Sequence, residues 1–242
     1  MIKWVLKLVD SGSSEISEVS GIEANEAIGT KGITTPKPNR MDRRREETRK
    51  KILEATLELV IEKGVDKTTM SDITEAADLG RRTFYYHFAS KEECVIAAAV
   101  GQIQKHSVSV FNYITHDDDP ALVVATATQY VMGKLLNESM AKSLIDKPRM
   151  LGSALFEAIG QFVNKDIELG ISQNRFSPPI TGALLDNMMK WSLVGLLIEA
   201  GDSELDTQQA LLGYAQAFLM ILGLPSDEAK EISLQAAQKF SQ

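Results

Sequence analysis

Eight consecutive residues, Arg81-Arg82-Thr83-Phe84-Tyr85-Tyr86-His87-Phe88, concentrate hydrogen-bonding chemistry in one short stretch. Phe84 and Phe88 lie four apart, so in a helix both fall on one face, and that face must be buried. The other positions offer guanidinium, hydroxyl, phenol and imidazole groups and no carboxylate. A helix selected only for solubility would carry Glu, Lys and Ala there. Donors of this kind match phosphate oxygens and the edges of nucleic-acid bases. Lys91, just beyond, adds a further cation.

A helix this short needs neighbours to hold it. Upstream, Thr69 is an N-cap with Asp72 three residues on, and Ile73, Ala76 and Ala77 are expected to face inward. Asp78-Leu79-Gly80 breaks that helix before Arg81. A longer helix precedes both, predicted from Glu46, with an apolar stripe through Ile52, Leu53, Ala55, Leu57, Leu59, Val60 and Ile61, and a stop at Gly64. Downstream, Ser90 and Glu93 form another capping pattern and launch a long helix from Lys91 to about Asn112. Two short helices across a three-residue break make a helix-turn-helix candidate. The spacing equally fits an ordinary corner of a bundle; the side chains of 81–88 favour the first reading.

The remaining chain is predicted to be helical too, with segments near 121–137, 140–146, 149–169, 180–200, 204–222 and from 226 onward. No stretch shows sustained β-branched alternation, so the fold class is all-α. The 242 residues are 44% hydrophobic and 24% charged, the balance of a soluble globular protein, and no apolar run is long enough for a membrane span. The single cysteine, Cys94, excludes an internal disulfide and a cysteine-based zinc site and suits a reducing, cytoplasmic setting. Its place near a helix start would favour a thiolate, but a core thiol is the plainer expectation. His87, His106 and His116 are too scattered for a metal motif, no phosphate loop is visible, and neither an enzyme nor a cofactor or metal is expected. The net charge of −7 does not oppose nucleic acid, because residues 40–51 alone hold seven basic against three acidic groups. Residues 1–40 read as a flexible leader, and Met41 is an alternative start that would make them non-native.

From Thr48 to Val95 the chain resembles the DNA-binding domain of the tetracycline-repressor (TetR/AcrR) family of bacterial transcription regulators. The resemblance rests on the Gly64 stop, the Thr69 cap, the Ile73/Ala76/Ala77 positions and Thr83 to Phe88 ahead of Ser90-Lys91-Glu92-Glu93. It departs in the turn: Asp78 stands where the family usually has Gly, and Gly80 where Ser or Thr is common. Asp tolerates a left-handed backbone, so the turn is expected to survive, with one phosphate-contacting hydroxyl missing at Gly80.

The resemblance implies a helix-turn-helix domain over 41–92 and a helical effector-binding and dimerisation domain over 93–242. It assigns DNA contact to Arg81 and Arg82, with Arg81 on a guanine edge, and to Tyr85. Thr69, Thr83, Tyr86, His87 and Lys91 are assigned to phosphates or groove walls. Arg44 and Lys50, with Arg43 and Arg45, would follow the backbone or be a solvated chain end. The helices near 180–200 and 204–222 are apolar nearly all round, which points to a homodimer or to a deep monomer core. An effector site would draw on His106, Phe111, Tyr130, Phe156, Gln161 and Trp191 and suit an apolar or aromatic small molecule. These readings make the chain a ligand-responsive repressor that releases a palindromic double-stranded operator. The alternative is an adaptor or coactivator using the same scaffold on another protein, which should have lost the cationic groups of the recognition face.

Overall fold

The computed structural model describes residues 39–115, 118–202 and 206–240, with Gln161, Gly201 and Asp202 described by backbone alone. Residues 1–38 of the leader predicted over 1–40, with His116 and Asp117, lie outside the described residues. Among those described, eleven α-helices follow one another and no strand occurs.

Helix α1, Arg40–Lys63, starts six residues before the predicted Glu46. Asn39 causes the difference: its Oδ1 accepts from the backbone N–H of Met41 (2.7 Å) and Asp42 (3.0 Å), and Asp42 accepts in return from the Asn39 N–H. That is a capping box with Asp in place of the usual Glu or Gln. The helix ends at Gly64, whose φ of 80° is the conformation glycine adopts freely. Ile52, Ala55 and Val60 are buried as expected, but Ile61 is 43% exposed. Thr56, absent from the predicted stripe, is fully buried, its hydroxyl donating to the Ile52 carbonyl and lying 3.1 Å from Cys94 Sγ.

Helices α2, Met70–Ala76, and α3, Arg81–His87, complete the N-terminal unit. Ile73, Thr74 and Ala77 are buried, whereas Ala76 faces solvent, because the turn after Ala77 leaves only the i,i+4 partner of Ile73 on the inner face. Asp78 is left-handed, with φ 52°, and the Leu79 N–H reaches back to the Thr74 carbonyl at 2.9 Å. This is the helix-ending geometry normally given to glycine.

Helix α4, Lys91–Ser109, is capped by Ser90 Oγ, which accepts from the Glu93 N–H. Glu93 accepts from the Ala89 N–H at 2.6 Å. Cys94 belongs to the apolar cluster of Ile52, Ile73, Phe84 and Phe88, whereas Val95, Ala98, Ala99 and Ile103 belong to the core of the body. Burial pushes the Cys94 thiol up to about 11, so it stays protonated and packs.

In the body, α5 (Pro120–Asn137) runs through the middle, with α10 (Thr207–Ile221) and α11 (Ser226–Gln238) packed against it. The short α6 (Ser139–Lys142) rests on α1. The predicted helix near 149–169 is two: α7 (Pro148–Leu155) and α8 (Gln161–Ser172), joined by a π turn at Phe156–Gly160 that packs on α4. Gly170 is required because a Cβ there would fall 2.1 Å from the Phe176 ring. Helix α9, Ala183–Asp202, packs on α5, α7 and α10. Arg175, in the loop before α9, bonds both oxygens of Asp119 (2.8 and 2.9 Å) and pairs with Glu228 at 2.8 Å, tying the starts of α5 and α11 together.

Asp166 on α8 is 8% exposed, and burial raises its carboxyl to about 6. A carboxyl whose folded value lies above its unfolded one stabilises the fold while protonated, fully below about pH 4, and that contribution is lost as pH rises through 6. Asp166→Asn should therefore gain roughly 1–3 kcal/mol over the parent at pH 7.5 and nothing near pH 4. Urea unfolding at the two pH values measures this, and an equal difference at both would contradict it.

Candidate nucleic-acid interface

Helix α3 is anchored by Phe84, 0% exposed, and by Phe88 just past its end at 1%, with ring centroids 5.8 Å apart. Anchoring one face fixes the other. Tyr85 and Tyr86 are 54% and 66% exposed, Arg81 and Arg82 are exposed, and Thr83 and His87 are half-buried. No carboxylate among the described residues pairs with Arg81 or Arg82, and Arg81 Nη2 donates to Ser71 Oγ at 2.7 Å, which aims it across the start of α2.

At that start, Thr69 Oγ1 accepts from the Asp72 N–H at 3.2 Å, and its hydroxyl also bonds the Asp72 carboxylate. Asp72 Oδ2 takes a proton donor from Lys63 Nζ at 2.7 Å and from the Thr69 N–H at 2.8 Å. The Lys63 bond, then the Thr69 bonds, bring its carboxyl down to about 2. The negative charge beside the helix start is thus matched by Lys63.

Helix α1 lays two arginines over this surface. Arg45 sits 5.3 Å from the Tyr86 ring centroid and Arg49 4.5 Å from that of Phe88. Burial first, then the charges of Arg45 and Arg49, hold His87 below its ordinary value, so it meets a ligand as a neutral ring at neutral pH. Arg49 escaped sequence reading, since only the fold sets α1 over Phe88. Lys91 Nζ donates to the Val65 carbonyl at 3.0 Å and so holds the loop after α1. Lys50 is exposed beside Glu54 at 3.7 Å, and Arg44 is exposed with its carbonyl taken by Thr48. Of the ten sequence-predicted DNA residues, the structure gathers Thr69, Arg81, Arg82, Thr83, Tyr85, Tyr86 and His87 around α2 and α3. Arg44 and Lys50 stand on α1, and Lys91 turns to the backbone.

The residues expected around an effector are dispersed. His106 Nε2 is 3.0 Å from Glu138 Oε2, linking α4 to the start of α6. Phe111 and Tyr130 pack in a small cluster with Val110, Ile114 and Val123, where Tyr130 also meets Tyr113 and Phe240. Phe156 and Trp191 are 46% and 44% exposed, with Lys190 Nζ over both rings. The Gln161 side chain lies outside the described residues. Between α9 and α10 a groove of about 370 Å³ opens, lined by Ser192, Gly195, Leu196, Tyr214, Ala217 and Phe218 among others. There the Ser192 and Tyr214 hydroxyls meet at 2.7 Å. Among the described residues no cluster of groups could hold a metal ion, and no helix is long and apolar enough to cross a membrane.

Residues 52–98 match the family described as bacterial regulatory proteins, tetR family. The transcriptional regulator TcmR of Streptomyces glaucescens is 30% identical over 98 residues, 40% of this chain and 43% of that protein. The chain thus spans less than half the length of that relative. An uncharacterised regulator from the lacX 3′ region of Lactococcus lactis subsp. lactis is 25% identical over 188 residues, 74% of this chain and 85% of that protein. The crystal structure of RolR in complex with resorcinol superposes with a TM-score of 0.67 at 25% identity, covering 79% of this chain and 95% of that one. The helix-turn-helix unit is thus similar to that of the tetR family of bacterial regulatory proteins, and the helical body behind it shares the fold of RolR.

Proposed function

We propose that the chain is a homodimeric, ligand-responsive transcriptional repressor that binds a roughly palindromic DNA operator in the cytoplasm and releases it when a small molecule enters the body. The observation that carries this is the outer face of α3: two exposed arginines and two exposed tyrosines on a helix held rigidly by Phe84 and Phe88. An adaptor working through protein contacts would have no use for guanidinium groups kept clear of carboxylates. The boundary between the two working units falls near residues 92–93, where α4 leaves the recognition unit. A small-molecule effector is supported by RolR, which binds resorcinol on the same fold.

The second copy has a place to dock. Leu184, Met188 and Trp191 on α9 are 58%, 43% and 44% exposed, and Met220 on α10 is 44% exposed, while the opposite faces of both helices bury Leu185, Met189, Val194, Phe218 and Leu219. Helices apolar on both faces need a second partner, and the α9/α10 pair from a second chain would form a four-helix interface over the groove. Two recognition helices would then sit about 34–36 Å apart, in successive major grooves.

Selection of genomic fragments by the purified protein should return a palindrome, with affinity falling steeply as salt rises. Arg81→Ala with Arg82→Ala should weaken that binding at least about tenfold, as expected for losing bidentate base contacts, while helicity and dimer mass persist. Unchanged affinity would remove α3 from the interface. Lys91→Ala, by contrast, should lower stability more than it lowers DNA affinity at matched folded fraction.

Leu184→Glu with Trp191→Glu should convert a dimer to a monomer in light scattering and abolish tight operator binding. A double variant that stayed dimeric would place the interface elsewhere.

A further inference from the structure

Helix α1 carries an arginine that the rest of the fold leaves unmatched. Arg49 is half-buried, with its guanidinium 4.5 Å from the centroid of the Phe88 ring, yet it makes no hydrogen bond and no ion pair with any described residue. One turn earlier, Arg45 is exposed, 5.3 Å from the centroid of the Tyr86 ring, and is equally without a described carboxylate partner. Like charges four residues apart on a helix repel. A ring face attracts a guanidinium but does not satisfy its five N–H donors. Other cations of the same unit are met: Lys63 by Asp72, Lys50 by Glu54 and Lys91 by the Val65 carbonyl. Glu93, which acts with Arg49 on the Cys94 thiol, is turned to the Ala89 N–H.

The place of the two arginines says what they are for. In a helix-turn-helix the first turn of the recognition helix meets base edges. In α3 that turn holds Arg81 and Arg82, which leaves the other end toward the groove wall, where DNA offers phosphate. By itself that end is poorly suited to an anion. Its last carbonyls carry partial negative charge. Its one basic residue, His87, is held below its ordinary value by burial first and then by Arg45 and Arg49. Arg45 and Arg49 reach the same end from α1 and supply the fixed positive charge that α3 lacks there. The Tyr86 hydroxyl, without a hydrogen-bond partner among the described residues, belongs to the same group.

Resting on the DNA-binding reading above, we propose that Arg49, with Arg45 beside it, forms a seat for one backbone phosphate of the operator at the His87 end of α3. The seat adds affinity and register but no base preference, because phosphate is the same at every step. Base choice stays with the Arg81–Arg82 end. Phe88 then has two duties: it anchors α3 in the core and it carries the guanidinium that grips the backbone, so the distance from base reader to phosphate seat is fixed by one buried ring.

The test uses the full chain and the genomic duplex that it binds most tightly. Arg45→Ala with Arg49→Ala should weaken binding about tenfold, the scale of losing hydrogen bonds to a charged group, and leave the preferred sequence unchanged. The slope of log affinity against log salt should become shallower by about 0.9 for each phosphate given up. Arg45→Ala alone, which uncovers no buried ring, should show the same change in smaller measure, and Arg49→Lys should keep most of the parent's slope. Methylphosphonate placed at one backbone position at a time should cost the parent affinity at one position in each half-site and cost the double variant nothing there. Equal losses for parent and variant at every position, or an unchanged salt slope at matched folded fraction, would overturn the seat and leave Arg49 a packing residue on Phe88. Inorganic phosphate that bound the parent but not the variant, with the salt slope on DNA unaltered, would overturn it in favour of a free anion. A parent that bound no duplex would instead count against the DNA-binding reading itself, so the two failures are distinguishable.

Discussion

Everything in this molecule depends on α4 being buried in two cores at once. At its first turn, Cys94 is sealed among Ile52, Ile73, Phe84 and Phe88, and the next residue, Val95, is sealed in the body with Val60, Ala98 and Leu151. Adjacent residues on a helix point about 100° apart, so one rigid rod carries both contacts. Helix α3 cannot shift relative to the body without disturbing one core or the other. The polar contacts across the same boundary are weaker restraints. Lys147 Nζ meets Asp66 at 2.7 Å, but Asp66 is 77% exposed, and a pair so open to water adds little.

The recognition surface solves an electrostatic problem that the net charge of −7 hides. Phosphate must be approached by a domain in which basic and acidic groups are evenly matched. The acidic groups nearest the expected contacts are occupied: Asp72 by Lys63 and the backbone of Thr69, Glu93 by the Ala89 N–H. Arg45 and Arg49 lie over aromatic rings, and burial first, then their charge, holds His87 below its ordinary value. The field at α3 is therefore set more by which carboxylates are neutralised locally than by how many the chain contains.

Local rules were enough to read the recognition unit. The Thr69–Asp72 box, the Ser90 cap, the left-handed Asp78 and the Phe84/Phe88 pair each depend on residues a few positions apart, and the structure shows all of them. What escaped was set at a distance. Ile61 and Ala76 fall on apolar periods but meet no partner, because the neighbouring helices turn away before reaching them. Arg49 matters only because α1 passes over Phe88, and Lys91 faces the Val65 carbonyl only because that loop folds back beneath it. The Asn39 start was within reach, since an Asx cap followed three residues later by Asp is a local signal. In the body, long apolar runs fixed helices but not their faces. His106, Tyr130, Phe156 and Trp191, alike in sequence as candidate pocket residues, came to lie in separate places, and the buried carboxyl of Asp166 was lost among ordinary helical charges.

These facts constrain how a signal could pass through the chain. An effector shifts an equilibrium only by the difference in its affinity for the two states, so its contacts must include a group whose environment differs between them. The π turn at Phe156–Gly160 bears on α4, and α4 is locked into the helix-turn-helix core by Cys94, so a displacement of that turn is passed to the recognition unit through packed side chains.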